Sequence, residues 1–238
     1  MKKLLIAVLV LMVIFSLSLK SEATGVEELM KNDRALSISV KEIEGNKVVE
    51  LRDLGQKFNW DFSYDSRTKQ VIISGKNGEY NFNIRKGIII DPEARSILID
   101  GRNYLDLDLI NPLLAKLNEK EVNILSSLRV KDKVVKSGES FTSWIEIYNL
   151  SKNDITLSFS SGQLYDLYLK NGDKEIWRWS KGKAFTMAMQ NKKLAAGEKL
   201  CYEVEVVGID GPGEYILSGE LTSQPSLALP EIEIEIVK

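Results

Sequence analysis

Apolar and polar residues alternate along most of the second half of the chain. Ile155, Leu157 and Phe159 form one such series, Leu200, Tyr202, Val204 and Val206 a second, and Ile232, Ile234 and Ile236 a third. A period of two sets these residues on one face of a strand. Strands are predicted over residues 128–135, 141–150, 155–160, 164–170, 175–179, 199–207, 214–222 and 231–237, with no helical period among them. Turns at intervals of about 8–12 residues predict an all-β, immunoglobulin-like sandwich over 127–238. The sharpest local signal is Asn171-Gly172. It lies between Leu167 and Leu169 on one strand and Trp177 and Trp179 on the next. A type I′ hairpin there needs positive φ at both central residues.

The first half mixes periods. Residues 36–43 and 47–51 flank a turn at Glu44-Gly45-Asn46, and Leu51, Leu54 and Phe58 then fall at helical spacing, predicting a helix over 51–58. Short strands follow over 60–64, 70–74, 80–84, 88–90 and 97–99. A helix is predicted over 109–117, with Pro112 in its first turn. The expected unit is an α+β domain over 35–118, with residues 119–126 as a linker.

Composition narrows the chemistry. The chain has 238 residues, 44% of them hydrophobic, so it can bury a core. A net charge of −2 gives no footprint for nucleic acid. It has no histidine. That excludes Ser-His-Asp and Cys-His hydrolases and histidine-ligated copper. No metal or cofactor is expected, and an enzyme is not. Cys201 is the single cysteine, so no intramolecular disulfide can form. Its alternation with Leu200 and Tyr202 makes it a structural thiol.

Lys2 and Lys3 precede an apolar run over 4–19, and Ser21-Glu22-Ala23 supplies small residues for cleavage before Thr24. Residues 1–23 therefore read as a signal peptide, with an uncleaved anchor as the alternative. A secreted or cell-envelope-associated protein is expected, with no membrane contact beyond that segment.

Two stretches resemble known families. Ser161, Gly162, Gln163, Tyr165 and Asp166, followed by Trp177, Trp179, Ser180, Lys181, Gly182 and Phe185, resemble the signature of the BsuPI-type intracellular proteinase inhibitors. The resemblance implies a β-sandwich that binds a serine protease tightly and non-covalently. Given the leader, the implied partner is an extracellular or cell-wall protease. Upstream, Val49, Leu51 and Arg52, then Gly55, Trp60 and Asp61, resemble the strand-to-helix turn of the copper amine oxidase N-terminal-like domain. Ile99, Asp100, Gly101, Arg102, Asn103 and Tyr104 resemble a later N-G-x-x-Y stretch of it. Glu50 stands where proline is usual, and the second copy of the turn has become Leu105-Asp106-Leu107-Asp108.

Candidate sites each have a bland counterpart. Residues 180–191 join two predicted strands and set Lys181 and Lys183 beside Phe185, Met187 and Met189. An inhibitor needs such a loop to enter a protease cleft. The alternative is that Phe185 and the methionines pack under the sandwich edge. Trp177 and Trp179 are interface anchors or core filling, and Gln163, Tyr165, Asp166, Ser180 and Gly182 read as structural parts of the motif. Asp106 and Asp108, and Glu231, Glu233 and Glu235, are the wet faces of strands. The expected protein is an exported, non-catalytic, subtilisin-type proteinase inhibitor. A binding or scaffolding module of the cell envelope, with a cell-wall component as partner, is the alternative.

Overall fold

A computed structural model describes residues 35–43, 45–68, 70–85, 88–90, 96–99, 102–117, 119 and 121–238. The expected signal peptide over 1–23 lies outside the described residues, as do Glu44, Asp100 and Gly101.

The described residues are β-rich. In the first half, β1 (Ala35–Ser37), β2 (Val40–Ile43) and β3 (Asn46–Glu50) precede α1 (Leu51–Phe58). Then come β4 (Asp61–Asp65), β5 (Gln70–Ser74), β6 (Glu79–Arg85), β7 (Ile88–Ile90), β8 (Ser96–Ile99), β9 (Arg102–Asp106) and α2 (Ile110–Lys116). Two sheets result, in the orders β2-β3-β9-β8 and β4-β5-β6-β7. Leu51, Leu54 and Phe58 of α1 are buried with Ile110, Leu113 and Leu114 of α2 in one apolar cluster. That is the outcome the helical spacing dictates. The first helix stops at Asn59, whose φ of 54° is left-handed, and the Trp60 amide donates to the Gly55 carbonyl at 2.8 Å.

The second half contains β10 (Ile124–Val130), β11 (Val134–Lys136), β12 (Phe141–Asn149), β13 (Ile155–Phe159), β14 (Tyr165–Asn171) and β15 (Lys174–Arg178). It continues through β16 (Gln190–Leu194), β17 (Lys199–Val206), β18 (Gly213–Leu221), β19 (Leu227–Ala228) and β20 (Ile232–Val237). One sheet runs β1-β10-β12-β17 and a second β11-β20-β18-β14-β15, while β13 and β16 pair by themselves. Ile145 and Val204 from the first sheet share a core with Leu167, Leu169, Leu217 and Ile234 from the second. A fully buried side chain of this size stabilises by about 1.5–3 kcal/mol.

Residues 119–126 are not the plain linker that their run of charges predicts. Strand β10 begins at Ile124, and β1 pairs with it in parallel, Ala35 opposite Ile124. The Ser127 hydroxyl accepts the Val40 amide at 2.9 Å. Asn111 donates to the Val122 and Leu150 carbonyls and accepts the Val122 amide at 2.7 Å, so the start of α2 is latched to the end of β12. Short charged stretches hide such pairing because Val122, Ile124 and Leu125 are too few to show a period.

The hairpin is also displaced from its expected centre. Asn171 pairs with Lys174, so the turn is Gly172-Asp173, with a register shift between Leu169 and Lys170. Positive φ falls on Gly172 (55°) and on neither Asn171 nor Asp173, so the type I′ turn does not form. The Asn171 side-chain Nδ2 instead donates to the Glu214 carbonyl at 3.1 Å, joining the tip to β18.

Four tyrosines make folding sensitive to alkali. Burial pushes the Tyr148, Tyr165, Tyr168 and Tyr202 hydroxyls up. The Glu146 carboxylate adds to the effect at Tyr148, and a hydrogen bond to Glu220 adds to it at Tyr168. Tyr202 is pushed up to about 12. An unfolded tyrosine ionises near 10, on the order of the model-peptide value. Above that pH the unfolded chain releases protons that the folded chain retains, so rising pH favours unfolding. Urea midpoints are expected to hold up to about pH 9 and to fall from about pH 10 upward. Tyr202→Phe should make that fall shallower, and an unchanged slope would contradict the assignment.

Candidate functional site

The motif residues interlock at the end of β14 and β15. Asp166 leaves β14 on the face opposite the core residues Leu167 and Leu169, yet it is only 1% exposed. Its carboxylate accepts Arg178 Nε at 2.8 Å, the Ser180 amide at 3.1 Å and the Ser180 hydroxyl at 2.7 Å. The guanidinium of Arg178 also lies 5.2 Å from the Tyr168 ring centre. One buried carboxylate thus fixes the point where the chain leaves β15. Charge-assisted bonds of this kind are roughly twice as strong as neutral ones.

Aromatic rings continue from that point into the loop. Tyr202 of β17 lies 5.0 Å from Tyr165 of β14, Tyr165 lies 4.4 Å from Trp179, and Trp179 stacks on Phe185 at 5.7 Å. The column links strands of both sheets to the loop through ring pairs at close contact. Lys183 Nζ sits 3.6 Å over the Trp179 ring, a cation–π contact. Trp177 and Trp179 are both half-buried against the core.

The loop itself runs from Ser180 to Met189. Its first turn closes with the Lys183 amide on the Ser180 carbonyl at 3.0 Å, and Gly182 takes a φ of 77° there. Further on, the Gly162 amide donates to the Thr186 carbonyl at 2.8 Å. Strand β16 then starts at Gln190, paired with Phe159. Gly162 lies between the two stems. A Cβ there would meet Thr186 Oγ1 at 2.6 Å and Gln190 Nε2 at 3.6 Å. Next to it, Gln163 donates its side-chain amide to the Tyr165 carbonyl, and its own carbonyl accepts the Thr222 hydroxyl.

The structure therefore brings the candidate residues together around one loop while dividing them by exposure. Gln163, Tyr165, Asp166, Trp179, Ser180 and Gly182 frame it, Trp177 sits opposite Leu169 in the hairpin, and Phe185 is half-buried on Trp179. Lys181 and Lys183 are exposed, and Met187 and Met189 are 89% and 74% exposed. Sequence reasoning missed Arg178, Thr186 and Tyr202. Arg178 was visible as the residue between the two tryptophans, whereas Tyr202 joins across more than twenty residues and leaves no local sign. Cys201 is exposed, opposite Glu146 in the β12–β17 ladder.

Comparison with known proteins adds one family match, over less than half of the chain. Residues 128–226 match the family described as BsuPI, intracellular proteinase inhibitor. This part of the chain is therefore similar to a non-catalytic inhibitor family, which implies a protease as partner. No curated protein matches the chain. Similar solved structures include a β-glucosidase from Erythrobacter marinus (13% identity, TM-score 0.30), with 47% of this chain covering 15% of that one. A sporulation control protein from Bacillus subtilis is 13% identical over 50% of this chain and 51% of its own, at a TM-score of 0.34. A CARDB domain from Pyrococcus furiosus is 10% identical over 48% of this chain and 94% of its own, at 0.30. Likenesses at that level carry no functional argument.

The match overturns the expected secreted or cell-envelope location, because the family it names is intracellular. The expectation came from a charged start, a short apolar run and small residues at Ser21 and Ala23. Among the described residues no helix is long and apolar enough to cross a membrane.

Proposed function

We propose that residues 127–238 form an immunoglobulin-like sandwich that inhibits a serine protease of the subtilisin type. Inhibition works by tight, non-covalent binding, with Lys181, Lys183, Phe185, Met187 and Met189 on the surface offered to the enzyme. Residues 35–118 form an α+β accessory module resembling the copper amine oxidase N-terminal-like domain. One observation carries this reading: a loop held at both stems leaves Met187 and Met189 the most exposed large apolar side chains among the described residues. Apolar side chains of that exposure mark a surface that another molecule covers. The tethers supply the rigidity that binding requires, since ordering a loose loop costs about 0.5–1.5 kcal/mol per immobilised side chain.

Titration of a subtilisin-type protease with the full chain tests the reading. Activity is expected to fall linearly to near zero at one equivalent, with the chain recovered uncut. An unchanged rate, or rapid digestion of the chain, refutes it. The same assay reads the contribution of the stems. Gly162→Ala pushes Thr186 away from its hydrogen bond and is expected to weaken inhibition about tenfold while shifting stability by less than about 1 kcal/mol. Equal inhibition by this variant would show that stem geometry is irrelevant.

A further inference from the structure

The methionines are distributed unevenly. Three of the five lie at positions 1, 12 and 30, and the remaining two are Met187 and Met189. Methionine usually fills gaps in cores, yet neither of these is buried. Between the Thr186 carbonyl, held by Gly162, and Gln190, paired with Phe159, lie three residues: Met187, Ala188 and Met189. Cutting the Met187–Ala188 bond would leave each new end beside an anchor. The acyl side is tied through Thr186, and the amine side through β16. Ends held in place favour re-formation of the bond over release. Met187 is the more exposed of the pair and follows directly on the tethered carbonyl, so its side chain projects furthest from a fixed backbone.

Resting on the inhibitor reading above, we propose that Met187 is the specificity-determining side chain, filling an apolar primary pocket of the protease, and that its oxidation releases the enzyme. The oxidant is a hydroperoxide. The thioether sulfur attacks one peroxide oxygen, the sulfur–oxygen bond forms and the oxygen–oxygen bond breaks. The attacked oxygen's proton leaves with the departing alkoxide or hydroxide as an alcohol or water. Sulfur loses two electrons and the peroxide gains them. A sulfoxide carries a strong acceptor into a pocket with no donor for it, and burying an unpaired polar group opposes binding. The exposed thiol is less reactive: partial burial, with the Glu146 carboxylate beside it, pushes the Cys201 thiol up and lowers its thiolate fraction.

The experiment compares inhibition constants of the full-length wild type, Met187→Asp, Met187→Leu and Met189→Leu, each before and after hydrogen peroxide. Catalase removes residual peroxide, and circular dichroism checks the fold. Met187→Asp is expected to weaken inhibition about 100-fold. Met187→Leu should stay within about fivefold of the wild type and resist peroxide. Wild type and Met189→Leu should each lose about 30-fold on oxidation. If Met187→Asp inhibits like the wild type, or if oxidised Met187 leaves inhibition intact, this assignment falls while the inhibitor reading stands. If the wild type inhibits no serine protease, both fall together.

Discussion

Replacing Asp166 by alanine is expected to lower the unfolding free energy by about 3 kcal/mol, the largest single polar effect in the sandwich. The acceptor of three bonds disappears from a site that is 1% exposed. The partners lose unequally. Arg178 is 43% exposed and turns to water, so its share is small. The Ser180 amide and hydroxyl are half-buried and lose a charged acceptor, worth about 1.5–3 kcal/mol for such a bond. Asn at the same position keeps the shape and one acceptor but turns an NH2 toward a cationic or donor partner, so about half the loss should remain. Urea titrations would read both as shifts in midpoint at unchanged slope. A loss under about 1 kcal/mol for Asp166→Ala would mean that the carboxylate does not organise the loop's entry.

Gly219→Ala is expected to cost about as much, roughly 3 kcal/mol, for a steric reason. Gly219 pairs with Leu167 in the β14–β18 ladder, and its carbonyl accepts the Leu229 amide at 2.9 Å from the other side. A methyl group would stand 2.3 Å from the Asp166 carbonyl oxygen and 2.5 Å from Leu167 Cδ2. Backbone cannot yield there without breaking the ladder that carries Asp166. Gly172→Ala makes the useful contrast. Its φ of 55° penalises a side chain, but nothing lies within 4 Å of the new atom. It should cost only about 1 kcal/mol, since the penalty is conformational alone. Equal effects at the two glycines would contradict the packing argument.

Much of this framework was legible in the chain, and the losses have physical reasons. Strict alternation in 232–236 and 200–206 marked β20 and β17 closely, because one face of each is buried and the other wet. The first helix could be read to the residue from Leu51, Leu54 and Phe58, all buried in the structure. Strand β16 was not visible. Its Gln190, Asn191, Lys192 and Lys193 are polar throughout, and it exists because β13 pairs with it. Sequence pattern records burial, and a strand held mainly by backbone bonds leaves little trace in it. The loop shows the same division. Its length and its apolar residues could be seen, but not the tether between Gly162 and Thr186 or the ring column reaching Tyr202, which are contacts between distant segments.

Hydrogen–deuterium exchange of the full chain, alone and saturated with an active-site-intact serine protease, tests the central idea most directly. Amides from Lys183 to Gln190 should gain protection on complex formation, while those of β4 and β5 in the first half stay unchanged. Protection confined to β4 and β5, with the 183–190 amides exchanging as in the free protein, would contradict the account.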